Sequence, residues 1–184
     1  MKKVKFALAT ALLVSVPIVG SFSKDDSIRI DGWKIERTGG AISYLTNGQE
    51  VHGHEFGFFK VYNHCDQDLI SISLSSRNSK VMSYKGTRPE FGLVFDKSKD
   101  FVPMPIEYVA YKAWHENLIV MSFTNTEVTS GFMKLVEQNP RVLVKLQKPA
   151  ELSSLMDIEV EGFALKGFSK TRIKARELCR KGAI

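Results

Sequence analysis

His52-Gly53-His54 places two imidazoles two positions apart, and His64 and Asp66 follow in the next polar stretch. On a strand, residues i and i+2 share a face, so this group could hold a small metal site. Gly53 weakens such a strand, and surface histidines in a polar hairpin are the simpler expectation. His115-Glu116 beside Trp114 could form an acid/base pair, though polar residues next to an apolar strand ordinarily make turns. The chain has no Gly-x-Ser-x-Gly, no His-Glu-x-x-His, no phosphate-binding loop and no dinucleotide fingerprint. The expectation is a protein without catalysis, metal or cofactor.

Cys65 and Cys179 are the only cysteines. Without a Cys-x-x-Cys, a thioredoxin-like redox role is not indicated. In an oxidising compartment the two can pair with each other; two buried thiols or an intermolecular pair are the alternatives. A bridge closing more than a hundred residues would restrict the unfolded chain by about 4–5 kcal/mol in the entropy model.

Two other groups could bind. Phe56, Phe58, Phe59 and Tyr62 could line a groove for a small ligand or lipid, with core packing as the competing role. Residues 166–184 carry Lys166, Lys170, Arg172, Lys174, Arg176, Arg180 and Lys181 against one acid, Glu177. Of these, Lys170, Arg172, Lys174, Arg176, Arg180 and Lys181 form a candidate partner-binding face for an acidic protein or, peripherally, an anionic membrane surface. Arg180 and Lys181 also complement a helix C-terminus.

The compartment comes from the first residues. Lys2, Lys3 and Lys5 precede an uncharged run from Ala7 to Gly20, followed by small residues. This is the pattern of a secretory signal, cut after Ser23 or Ser21, and the run is too short to span a bilayer. The expected division is 1–23 as signal peptide and 24–184 as one globular domain. The destination is the periplasm or the medium of a Gram-negative bacterium, so nucleic acid is not an expected partner. The chain has 184 residues, 26 Lys plus Arg and 20 Asp plus Glu, a formal charge of +6. Half of that charge belongs to the signal, and the rest reflects the basic C-terminal segment offset by a slightly acidic remainder.

The elements that must position these residues are mostly strands. Trp33-Lys34-Ile35, Ala41 to Thr46, Phe56 to Tyr62, Val81 to Tyr84, Phe91 to Phe95 and Leu118 to Phe123 are strand-like. Asn47-Gly48 is the strongest two-residue hairpin signal. In Leu69 to Ser75, Ile70, Ile72 and Leu74 face one side and Ser71, Ser73 and Ser75 the other, which predicts a strand with one wet face. Val128, Phe132, Leu135 and Val136 mark a helix capped by Asn125 or Thr126 and stopped at Asn139-Pro140. Val142 to Leu146 and Asp157 to Leu165 are further strands, separated by a loop. A terminal helix follows, with Ser169 as N-cap and Phe168 as staple. The fold class is α+β: a mostly antiparallel sheet or sandwich with one internal helix and a C-terminal helix tied to the sheet by the disulfide.

The order Gly32-Trp33, Tyr62-Asn63-His64-Cys65, Gly131-Phe132-Met133-Lys134-Leu135, Val142-Leu143-Val144-Lys145-Leu146, Phe163-Ala164-Leu165-Lys166-Gly167-Phe168 and Cys179 resembles small exported bacterial envelope proteins. These include the type VI secretion-associated periplasmic accessory family and the invasion-associated locus B family. The resemblance implies Cys65 and Cys179 as a pair. It also implies Phe163, Leu165, Gly167 and Phe168 at a strand–helix junction, and a non-enzymatic envelope module acting by protein contact, an immunity protein among the options. The additional cysteines of the locus B pattern are absent here, and the basic run Lys170 to Lys174 replaces a small residue early in the last helix.

Overall fold

The structure is a computed structural model that describes residues 27–114 and 117–182. The expected signal peptide and its cleavage site lie outside the described residues. The chain opens as an antiparallel meander: β1 (Ile28–Ile30), β2 (Trp33–Thr38), β3 (Ala41–Asn47), β4 (Glu55–Val61) and β5 (Leu69–Ser76). Its first two turns are two-residue turns with both positions at positive φ, 47° and 92° at Asp31-Gly32 and 41° and 86° at Gly39-Gly40. That geometry matches the twist of antiparallel strands and favours glycine.

Six further strands follow: β6 (Glu90–Phe95), β7 (Phe101–Pro105), β8 (Glu107–Trp114), β9 (Leu118–Glu127), β10 (Arg141–Lys148) and β11 (Glu161–Ala164). One sheet has the order β1-β2-β3-β4-β5-β9-β8, the other β11-β10-β6-β7. Every pairing is antiparallel. The sheets are stitched at one side where β7 runs through Ile106 into β8. There Gly86 N donates to Tyr108 O at 2.8 Å and Tyr108 N to Thr87 O at 2.9 Å. At the other side Gly48 bridges to Phe163. The prolines at 103 and 105 fall on β7, an edge strand, where a missing N–H costs least.

The alternations hold where they were clearest. Ile70, Ile72 and Leu74 are buried, as are Val142, Val144 and Leu146. Helix α1 (Ser130–Gln138) buries Phe132, Met133 and Val136. It starts later than expected because β9 runs on to Glu127. Thr129, not Asn125 or Thr126, caps it, its hydroxyl accepting from Phe132 N at 3.2 Å. Asn139 ends the helix and turns its amide oxygen to Lys97 N and Ser98 N.

Four local expectations give way. Ser79–Tyr84 is a 3-10 helix rather than a strand, because the Asn78 side chain accepts from Lys80 N and fixes a helical start. The loop after β10 contains a four-residue helix, α2 (Ala150–Ser153), whose Leu152 is fully buried. The last strand is only Glu161–Ala164 rather than Asp157 to Leu165, with residues 157–160 irregular. The terminal helix α3 (Phe168–Lys181) starts one residue before Ser169, so Gly167 is its N-cap and Phe168 is its first turn. The phenyl ring of Phe168 sits in the core, 5.3 Å from Trp33 and 5.4 Å from Phe58 between centroids. The Trp33 indole N–H, buried beside it, donates to Lys166 O at 3.0 Å. Strand β11 thus delivers the chain into α3 through one aromatic cluster.

Candidate functional site

Two polar clusters lie within this frame, and both are built from residues far apart in sequence. The first begins where the β4–β5 ladder ends, with Glu55 opposite Ser73. Two residues on, Ser75 N–H meets no backbone carbonyl of β4. It donates to His54 Nε2 at 2.9 Å. The ring's other nitrogen, Nδ1, lies 2.8 Å from Glu161 Oε2 on β11. Nε2 accepts a backbone N–H, so the ring proton is on Nδ1 and is donated to Glu161. The imidazole therefore replaces a ladder hydrogen bond on one side and joins the second sheet on the other.

The Glu161 carboxylate is fully satisfied. Oε1 accepts from Gln49 N at 3.0 Å, Glu50 N at 2.8 Å and Gly162 N at 3.0 Å, and Oε2 accepts from Val51 N at 3.1 Å. Successive backbone amides around one carboxylate form a nest. This explains the loop after Asn47. A two-residue turn at Asn47-Gly48 is the expectation, but the chain instead runs seven residues to β4 and wraps the carboxylate. Gly48 is the close approach. A Cβ there would stand 2.8 Å from Glu161 Cδ and 2.9 Å from His54 Cβ.

Ser75 Oγ also lies 2.8 Å from His54 Nε2. Serine, histidine and carboxylate thus appear in the hydrogen-bonding order of a nucleophile, base and orienter. The rest of the arrangement opposes that chemistry. His54 is 0% exposed, Glu161 1% and Ser75 6%, so a substrate has no approach. The lone pair that would take the serine proton already accepts the Ser75 amide. That amide is then unavailable to an oxyanion. Burial lowers the His54 pKa against the pull of Glu161 and holds the ring neutral.

The second cluster centres on Asp68, 3% exposed. Its carboxylate pairs with the fully buried Lys60 of β4, accepts from the Tyr44 hydroxyl of β3 at 2.5 Å, and accepts from Arg172 Nη2 at 2.8 Å and Nε at 3.0 Å. Arg172 Nη1 reaches Glu137 on α1 at 3.2 Å. Burial pushes the Lys60 pKa down. Burial, then Asp68, pushes the Tyr44 pKa well up, so its phenol stays a donor. This network fastens α3 to the first sheet. The Cys65–Cys179 disulfide fastens it again a short way along, with 5.6 Å between Cα atoms and a separation of 114 residues.

The basic face of α3 is less positive than its sequence. Lys170 lies 3.8 Å from Asp31, Lys174 3.3 Å from Glu177, and Arg176 and Arg180 reach Asp66 at 3.4 and 2.8 Å. Arg172 is committed to Asp68 and Glu137 rather than to the surface. Such exposed pairs stabilise little, but they compensate the charge. In their midst Ile173 is 60% exposed, the most exposed of the large hydrophobic residues among those described.

The four aromatic residues do not share a groove. Phe56 and Phe58 are fully buried and pack edge to face at 5.6 Å, with Phe56 also against Phe163. Phe59, one residue on, points to the opposite face of the sheet, and Tyr62 is half-buried by Gly182 at the end of α3. The histidines separate in the same way: His54 is inside, while His52 and His64 are exposed on different turns. No three His, Cys, Asp or Glu side chains among the described residues are grouped to hold a metal ion. Ser71 and Ser73 are half-exposed as the alternation predicts. Ser75 and Ser76 are buried, Ser76 donating to Leu155 O at 2.6 Å.

Sequence reasoning missed Glu161, Lys60 and Asp68 altogether and placed Ser75 in solvent. The only available signal was a charged residue interrupting each apolar pattern. Lys60 shares the parity of Phe56 and Phe58 on β4, and Glu161 opens an otherwise apolar strand.

The disulfide places the protein outside the reducing cytoplasm. No helix among the described residues is long and apolar enough to cross a membrane. No protein-family model, no curated protein and no solved structure matches the chain.

Proposed function

We propose that the chain is an exported, non-catalytic protein of the Gram-negative envelope, periplasmic or secreted, that works by binding a protein partner through α3. The observation that carries this reading is Ile173, 60% exposed on a helix locked by a disulfide and by the Asp68 network. An apolar anchor ringed by polar and charged side chains is the usual centre of a protein contact. Holding the helix rigid removes the ordering cost of binding. Local compensation of the cations favours a shaped protein surface over a polyanionic one, lipid included. The closed Ser75–His54–Glu161 cluster supports a structural role for the residues nearest to a catalytic arrangement. The resemblance to secretion-associated accessory and locus B proteins supports a task in secretion or envelope assembly, or neutralisation of a toxin as an immunity protein.

The test is retention of a partner on the oxidised exported chain. Candidate secretion components, toxins and envelope proteins are passed over it, and the retained protein is titrated against Ile173→Asp. A loss of at least tenfold in affinity is expected from removing a hot-spot anchor. Equal retention by both chains overturns the assignment to α3.

A further inference from the structure

Each sheet has two edge strands, and β1, β7 and β11 are poor templates for a further strand. β1 is three residues long. β7 carries prolines at 103 and 105, which lack the N–H that a neighbouring strand needs. β11 is four residues long and is already met by the loop after β3, where Gln49 N donates to Gly162 O at 3.0 Å. β8 differs, running for eight residues without proline.

The ladder shows which β8 groups face outward. Ser75 N turns toward β4 and His54, so by alternation Leu74 turns toward β9, where it pairs with Met121. The Met121 N–H and C=O therefore point to β5. Tyr111, opposite Met121 on β8, turns its own away from β9, and Ala113 does the same two residues on. At Tyr108 this outer side is filled: Gly86 N donates to Tyr108 O at 2.8 Å and Tyr108 N to Thr87 O at 2.9 Å. At Tyr111 and Ala113 no described residue supplies such a bond. Both residues are exposed, Tyr111 by 43%. Lys85, the residue before Gly86, sets its ammonium 5.9 Å from the centroid of the Tyr111 ring.

We propose that β8 at Tyr111 and Ala113 takes an extended segment of a protein partner as an added antiparallel strand, with a carboxylate at its C-terminal end that meets Lys85. Two outward residues two positions apart offer two N–H and two C=O groups, the spacing of a two-pair ladder. A strand antiparallel to β8 runs toward Tyr108, where Gly86 and Thr87 stop it beside Lys85. A second copy fits poorly. Pairing Tyr111 with the other copy's Ala113 sets Lys112 opposite its own counterpart, and directly opposed like charges destabilise a ladder. The contact is separate from that of Ile173. Helix α3 packs on β2, β3 and β4 through Phe168, and β5 and β9 stand between those strands and β8. Either contact can hold without the other.

The test is nuclear magnetic resonance of the oxidised exported chain titrated with acetylated, amidated pentapeptides that carry Thr, Val or Tyr in the first four positions and Glu last. Saturable binding by members of this set is expected. Exchange of the Tyr111 and Ala113 amides should slow by about tenfold, as a new hydrogen bond predicts. The Lys112 amide, which faces β9, should not change. Replacing the final Glu by Lys should weaken binding about fivefold, the scale of an exposed ion pair. Lys85→Glu should reverse that preference. Ala113→Pro removes an outward N–H and should weaken binding about tenfold. A near-ultraviolet circular dichroism spectrum checks its fold, and Lys85→Glu in the exposed turn decides the matter if Ala113→Pro does not fold. Absence of saturable binding by any peptide at millimolar concentration overturns the proposal. So does binding that neither substitution changes. Slowing of the same amides by raising the protein concentration alone assigns the edge to a second copy and also overturns it.

Discussion

Ser75 N donates to His54 Nε2 at 2.9 Å, so a side chain occupies a place that a backbone carbonyl would fill in a continued β4–β5 ladder. The relationship fixes the tautomer of the ring, its charge and its partner on the second sheet. It also makes the junction sensitive to acid. Protonation would put an N–H against the N–H of Ser75.

The pH dependence follows from the sign of the His54 shift. Its folded pKa lies below the unfolded value because the ring is buried. The unfolded chain then binds the proton first, and stability falls as pH drops from about 6.5 toward the folded value. Denaturant midpoints measured from pH 7.5 to 5.5 should decline in the wild type and decline less in His54→Gln. Glu55, whose pKa burial raises, acts in the opposite sense at lower pH, so the difference between the two proteins isolates the histidine.

Asp68→Asn should be among the most damaging single substitutions. It leaves Lys60 and Arg172 without their shared counter-charge, and Lys60 is fully buried. Removing one partner of a buried ion pair costs about 3–5 kcal/mol. Urea unfolding measures it. The double change with Lys60→Met should recover part of the loss, because an apolar side chain no longer needs a partner.

Cys65→Ser with Cys179→Ser should cost about 2–5 kcal/mol. The second expected effect is local. Amide exchange should quicken first in the C-terminal half of α3, where the disulfide lies, and less near Arg172, which Asp68 still holds. Uniform quickening along the helix would mean that the Asp68 network does not hold it alone.

Ser75 should not react with a fluorophosphonate probe in the folded protein. It has the hydrogen-bond order of a nucleophile but is 6% exposed and shares its base with its own amide. Mass spectrometry of the labelled protein reads this. Labelling of Ser75 that disappears in His54→Gln would restore a hydrolase.

The strands were legible where burial on one face imposes a period of two, as in Ile70, Ile72 and Leu74. The disulfide was legible because two cysteines allow one intramolecular pairing. The tight turns were read less well. Asn47-Gly48 has the composition of a two-residue hairpin, but the loop is set by a carboxylate more than a hundred residues away, which no local pattern encodes. The polar clusters failed for the same reason. Lys60, Asp68 and Arg172 each look like solvated surface until β4, the turn before β5 and α3 bring them together, and only their mutual contact makes burial tolerable. Of the two roles open to the aromatic run, core packing holds for Phe56 and Phe58, which have the parity of core residues and are fully buried. The basic helix read as a polycation because its compensating acids, Asp31, Asp66, Asp68 and Glu137, come from other elements.

In the proposed function, Ile173 on the pinned helix is the point of contact with a protein partner. The most direct measurement is photo-crosslinking in cells that export the chain with benzoylphenylalanine at position 173, and separately at position 97 on an exposed turn. One discrete protein adduct is expected from position 173 and none from position 97. No adduct at 173, or the same adduct from both positions, would contradict it.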